Sequence, residues 1–142
     1  MVNSHLEPQP RITAGIALAK SGIVNAMIDI SDGLVGDLFH ISEQSRVGFE
    51  IYQEKIPLPH NIFQAAVLLQ KDPIHMAVNG GEDYELLFTS NSDPDEINKI
   101  VAKTKTAITE IGRIHDYSEG FWITDFKNRR KTIHSESWNH FI

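Results

Sequence analysis

A chain of 142 residues with 41% hydrophobic and 23% charged residues has the composition of one globular domain, long enough to bury an ordinary core. Its net charge of −6 argues against a nucleic-acid-binding surface, and without cysteine it can build neither a disulfide nor a thiolate metal site. No apolar stretch approaches the roughly 20 residues of a membrane span, and the polar start lacks a signal-peptide core, so a cytoplasmic protein is expected.

Residues 1–10 read as an extended lead-in stiffened by Pro8 and Pro10. Ile12, Ile16 and Ala19, with Leu18 beside them, predict a short amphipathic helix that Gly22 closes. Val24, Met27, Ile28 and Ile30 predict a strand covered on both faces. Asp29 interrupts that run near its end, where a carboxylate is costly to bury unless a cation or several donors meet it. Ser31 or Asp32 then stands where a helix N-cap belongs, and Gly33 allows close backbone approach. Leu34, Val35, Leu38, Phe39 and Ile41 recur at helical spacing and carry a helix to about Gln44. Two carboxylates, a hydroxyl and free helix N–H groups thus converge at one strand end, a natural place for a magnesium ion and a phosphate. Asp37, past the first turn, reads as a solvated helix residue.

Residues 48–52 alternate as a second strand with Phe49 and Ile51 on one face, and the prolines of 54–61 make a loop. Residues 62–69 are largely apolar and predict a packed core helix; Pro73 starts a short stretch over 74–78. The segment Asn79-Gly80-Gly81-Glu82-Asp83-Tyr84-Glu85-Leu86 leads acidic residues from a Gly-Gly turn into an apolar strand, a second set of carboxylates at a strand mouth. Asp93-Pro94-Asp95-Glu96 combines an N-cap, a proline at N1 and first-turn acids, and Ile97, Ile100 and Val101 give that helix its buried side. Residues 106–114 and 120–124 read as strands, with 132–134 as a further pairing segment and the basic run 127–131 as a solvated hairpin tip. The tail ends on Trp138 and Phe141, too apolar for a loose terminus. Strands and helices mix without strict βαβ alternation, which predicts an α+β domain with a mixed sheet.

Several chemistries find no support. The seven histidines are scattered, none paired with another at metal-ligand spacing, so zinc is not expected. There is neither a nucleophile elbow nor a Walker-type phosphate loop.

The ordered set His5-Leu6-Glu7-Pro8-Gln9-Pro10-Arg11, Ile28-Asp29-Ile30-Ser31-Asp32-Gly33-Leu34, Gly80-Gly81-Glu82-Asp83-Tyr84-Glu85-Leu86 and Trp138-Asn139-His140-Phe141 resembles the thiamine-monophosphate kinase family, within the aminoimidazole ribonucleotide synthetase-like superfamily. The resemblance is to that family's C-terminal domain. It implies a linker over 1–10, a single domain over 11–142, and an N-terminal domain, absent from this chain, that holds most ATP and magnesium ligands and the homodimer contact. The implied activity belongs to thiamine diphosphate biosynthesis: the γ-phosphoryl group of ATP, the co-substrate, passes to thiamine monophosphate, with Mg²⁺ as cofactor. By the same resemblance Asp29 and Asp32 are metal ligands, Ser31 donates to an ATP phosphate, and Glu82 contacts the thiamine phosphate. Trp138 is the other substrate candidate, since an indole face gains ~0.5–2 kcal/mol from a cationic ring; packing on the core is its plain alternative. No residue is needed as a general base, because a phosphate oxygen is already nucleophilic. Neither nucleic acid nor membrane is an expected partner. The rival reading is a stand-alone module that binds thiamine phosphates or nucleotides without catalysis.

Overall fold

The first fixed point of the chain is Gly22, whose φ of 74° closes helix α1 (Ile12–Ser21) in the left-handed conformation that glycine adopts without penalty. The computed structural model describes residues 11–58, 62–79 and 85–134. Strand β1 (Val24–Asp29) follows and pairs antiparallel with β3 (Leu86–Ser90), with a bulge between Val24 and Ala26. Both faces of this two-stranded ribbon are covered, as the apolar pattern predicts. Ala26, Ile28 and Leu87 face a larger core shared with Leu34, Val35, Leu38, Phe39, Phe49 and Val78. Val24, Met27 and Phe88 face a smaller core built from Leu18 of α1 and from Ile97 and Val101 of helix α5 (Pro94–Val101).

Helix α2 (Leu34–Ser45) carries the larger core from this ribbon to a second sheet. That sheet has the order β4-β2-β5-β6, from β2 (Val47–Tyr52), β4 (Gly112–Asp116), β5 (Phe121–Thr124) and β6 (Arg130–Thr132). It is mixed, since β2 runs antiparallel to β4 and parallel to β5. Phe39 of α2, Phe49 of β2 and Phe121 of β5 meet with ring centroids 5.0–5.2 Å apart, a trio that locks the helix onto the sheet. The domain is therefore α+β with a mixed sheet, as expected, but the strands divide between two sheets. No described helix is long and apolar enough to cross a membrane.

Three local expectations need correction. Helix α3 (Ile62–Leu69) forms but is no core helix. It buries Ile62 and Ala66, one i,i+4 stripe, and leaves Val67 and Leu68 78% and 83% exposed. Its described neighbour is helix α4 (Pro73–Asn79), and an eight-residue helix meeting one neighbour has only one stripe to bury. Residues 106–111 form no strand, because Ile108 packs in the smaller core while Ile111 packs in the larger. A segment crossing between two cores cannot stay in register with a strand. The third correction, at the start of α2, belongs to the site described below.

On the far side of β2, Glu50 is buried and fully engaged. Arg113 donates to its Oε2 through Nε (3.1 Å) and Nη2 (2.8 Å), Thr124 donates to Oε1 (2.6 Å), and Arg130 lies 3.1 Å from Oε1. Burial alone would raise its pKa, yet the hydrogen bonds from Thr124 and Arg113 and the two guanidinium charges outweigh it and hold the group below its ordinary value. The β5–β6 hairpin is closed in a similar way. Asp125 Oδ1 accepts from the backbone N–H groups of Lys127 (2.8 Å) and Arg129 (3.0 Å), and Arg129 Nε donates to Oδ2 (2.8 Å). The basic run predicted for a hairpin tip sits there, with Asn128 at φ 58°.

The backbone N–H of Arg129, ahead of its side chain and the Lys127 N–H, lowers the Asp125 pKa from 3.8 to about 2 against the opposing effect of burial. A depressed carboxylate stabilises the fold above its unfolded pKa and stops doing so as pH falls through its folded value. Urea midpoints measured between about pH 5 and pH 3 are therefore expected to fall less steeply for Asp125→Asn than for the wild type. Equal slopes would show that the hairpin carboxylate does not titrate in this window.

Candidate functional site

Asp29 is the last residue of β1, exposed and in register with Leu86. Pairing continues one residue further, where the Ile30 N–H donates to the Glu85 carbonyl at 2.8 Å. Ile30 and Glu85, from the two acidic stretches that the sequence sets at separate strand mouths, thus meet at one strand end. Glu85 itself turns its side chain elsewhere: Arg11 donates to it through Nε (3.1 Å) and Nη2 (2.9 Å), which raises the guanidinium pKa. Both partners are substantially exposed, so the pair contributes at most about 1 kcal/mol. It ties the start of α1 to the start of β3.

The turn from β1 into α2 differs from the predicted cap. Neither Ser31 nor Asp32 caps the helix; both are exposed, and Gly33 occupies the N-cap position without a side-chain bond. Its φ of 98° and ψ of 152° border a region that is essentially confined to glycine. The first helical bond runs from the Asp37 N–H to the Gly33 carbonyl (3.0 Å). Asp37 is not solvated but 1% exposed, and its Oδ2 accepts from the backbone N–H groups of Ser31 (2.8 Å) and Asp32 (3.1 Å). Helical side chains lean toward the N-terminus, so a residue one turn inside the helix reaches back over the loop that precedes it. The N–H groups of Ser31 and Asp32 are therefore occupied.

Sequence reasoning also missed His40. Its Nε2 lies 3.7 Å from Asp32 Oδ2, and one ligand atom each from Asp32, Asp37 and His40 lie within 4.8 Å of one another. The signal was present in the spacing, since Asp37 and His40, three apart, share a helix face. Hard carboxylate oxygens with room for water suit Mg²⁺, which keeps several waters and takes one or two carboxylates. Asp29 and Asp32 are exposed at this end of the strand and fit that requirement, and Ser31 between them in sequence is exposed as well. Glu82 and Trp138, the two expected substrate contacts, lie outside the described residues, as do Asp83 and Tyr84.

Residues 2–123 match the family model described as AIR synthase related protein, C-terminal domain. The thiamine-monophosphate kinase of Buchnera aphidicola subsp. Acyrthosiphon pisum is 38% identical over 99% of this chain, and that of Aquifex aeolicus is 36% identical over 99%. The chain spans 42% and 41% of those two proteins, well under half of their length. The structure of AaThiL complexed with AMPPCP and TMP superposes with a TM-score of 0.70 at 35% identity, over 99% of this chain and 40% of that one. Escherichia coli HypE shares the fold, with a TM-score of 0.69 at 15% identity over 92% of this chain and 39% of that one.

The Gly33 conformation gives a direct check on the turn. Gly33→Ala is expected to cost about 1–3 kcal/mol in urea unfolding, because the added Cβ meets a backbone that only glycine adopts freely. An alanine variant as stable as the wild type would mean that the loop does not hold this geometry.

Proposed function

The chain belongs to the AIR synthase related protein family, C-terminal domain, and from that premise we propose that it is the C-terminal part of a thiamine-monophosphate kinase. The reaction transfers the γ-phosphoryl group of ATP to the phosphate of thiamine monophosphate and yields thiamine diphosphate and ADP. Support comes from relatives named for this enzyme at 38% and 36% identity over 99% of the chain, and from the likeness to AaThiL complexed with AMPPCP and TMP. One local observation carries the reading. The β1–β3 pairing sets Asp29 and the loop of Ser31, Asp32 and Gly33 directly beside Glu85, the last residue of the second acidic stretch.

Phosphoryl transfer asks little covalent chemistry of a protein and depends on alignment and on cancelling phosphate repulsion. Asp29 and Asp32 would hold Mg²⁺ at this strand end, and Ser31 would donate its hydroxyl to a nucleotide phosphate. Bound Mg²⁺ supplies neutralisation of the phosphate charges. Glu82 and Trp138 would take the acceptor, an indole being able to stack on the cationic thiazolium or the pyrimidine ring. No side chain acts as general base, since the acceptor phosphate oxygen is nucleophilic at neutral pH. The remaining nucleotide and metal ligands, and the homodimer contact, come from an N-terminal domain such as the longer relatives have room for. The enzyme is cytoplasmic in this reading and engages neither nucleic acid nor membrane.

The chain by itself is expected to transfer no phosphate, and coexpression with the remaining portion of a close relative is expected to restore turnover. Robust turnover by the chain alone would overturn this division of ligands. Calorimetric titration with thiamine monophosphate, with and without Mg²⁺, reports the acceptor side. Trp138→Ala is expected to abolish that binding, and unchanged binding would remove Trp138 from the site.

A further inference from the structure

We propose that Asp37 is the positioning residue of the cation site: its buried carboxylate clamps the backbone of Ser31 and Asp32 and so aims the Asp32 carboxylate outward at the strand end that carries Asp29. The inference rests on the magnesium reading of this strand end and adds to it a residue that touches neither nucleotide nor acceptor.

The geometry separates Asp37 from its neighbours. Asp32 is exposed, its side chain keeping 73% of its accessible surface, whereas Asp37 is 1% exposed. A carboxylate that deep is costly unless donors meet it. Asp37 Oδ2 receives two, the N–H groups of Ser31 and Asp32 at 2.8 and 3.1 Å, and it sits in the first turn of α2, where the helix dipole favours negative charge. The loop gains as much as the carboxylate does. Gly33 holds a backbone conformation that is strained for other residues, and a loop that turns so sharply keeps its shape only if its surroundings over-determine it. The Ile30 N–H bond to Glu85 fixes its entry, and the Asp37 N–H bond to Gly33 fixes its exit. Between them the Asp37 carboxylate is the described group that holds residues 31 and 32 in place. The side chain itself is anchored by the packing of Val35, Leu38 and Phe39 into the larger core around it. Residues that orient metal ligands without binding the metal commonly change its affinity by about 10–100-fold when removed.

The test is Mn²⁺ binding by the full chain, followed by electron paramagnetic resonance, together with hydrogen exchange of the Ser31 and Asp32 amides. Asp37→Ala is expected to weaken Mn²⁺ by about 10–100-fold and to accelerate exchange at both amides. Asp37→Asn keeps an acceptor oxygen for the two N–H groups while removing the charge. It should therefore keep their protection and lose less Mn²⁺ affinity than Asp37→Ala, because alanine removes the charge and the acceptor of both N–H bonds together. Should Asp37→Ala fail to fold, Asp37→Asn decides alone. Rescue by asparagine supports positioning, because a merely structural role would leave Mn²⁺ affinity unmoved and a ligand role would not tolerate loss of the charge. Asparagine binding as poorly as alanine, or alanine binding as well as the wild type, would overturn the proposal while leaving the magnesium reading intact. A wild-type chain that takes no Mn²⁺ would overturn the positioning role in this chain, while the magnesium reading of the whole enzyme, whose remaining ligands lie outside the chain, would stand.

Discussion

Everything at the candidate site depends on the antiparallel pairing of β1 with β3. Because the ribbon is buried on both faces, a slip of one residue would turn Ile28 and Leu87 toward the smaller core and Met27 and Phe88 toward the larger. Two cores of different size and shape thus police one register. The position of Asp29, the last paired residue, follows from that register, and so does the approach of Ile30 to Glu85. Residues more than fifty apart in sequence reach the same strand end without any direct bond between their side chains.

Helix α2 makes that strand end rigid from the other side. Leu34, Val35, Leu38 and Phe39 are all buried, and Phe39 sits within the aromatic trio that joins the helix to the second sheet. The helix start is therefore fixed by contacts made a full turn downstream. On the opposite face of β2, Glu50 gathers Arg113, Arg130 and Thr124 from three neighbouring strands. Such a buried carboxylate is costly to strand without its partners, which ties the strands of the second sheet to one another. A functional loop carried on elements locked in this way holds its geometry better than one carried between mobile segments.

Most of this architecture was legible in the sequence. Asp93 and Pro94 announced α5, and the structure gives the expected cap, with Asp93 Oδ1 accepting from the Asp95 N–H at 2.8 Å. The double-faced apolar run of β1 and the alternation of Phe49 and Ile51 were equally plain. What escaped were features set by the partner rather than by the segment. Residues 62–69 are apolar enough for a core helix, yet burial is decided by what packs on them, and α4 covers a single stripe. Residues 106–111 have strand-like composition but are drawn between two cores. At the site, Asp29, Ser31 and Asp32 could be picked out, whereas Asp37 and His40 were not. Helical spacing alone puts both on the face that looks back at the loop, but it does not say that the loop will turn sharply enough to meet them.

The contrast between Asp32 and Asp37 then acquires a physical meaning. Both are aspartates within five residues of each other, and the fold satisfies one while leaving the other open. Asp37 is neutralised locally by two N–H donors and the helix end, so its burial is compensated. Asp29 and Asp32 have no such donors among the described hydrogen bonds and remain in water. In the proposed reading, a nucleotide that displaces this water would bring several negative charges of its own. In that reading a divalent cation would relieve both sets of charge at once, at a strand end where the chain leaves its carboxylates exposed. Burying Asp37 fixes the backbone of the loop while leaving the Asp32 side chain in the open.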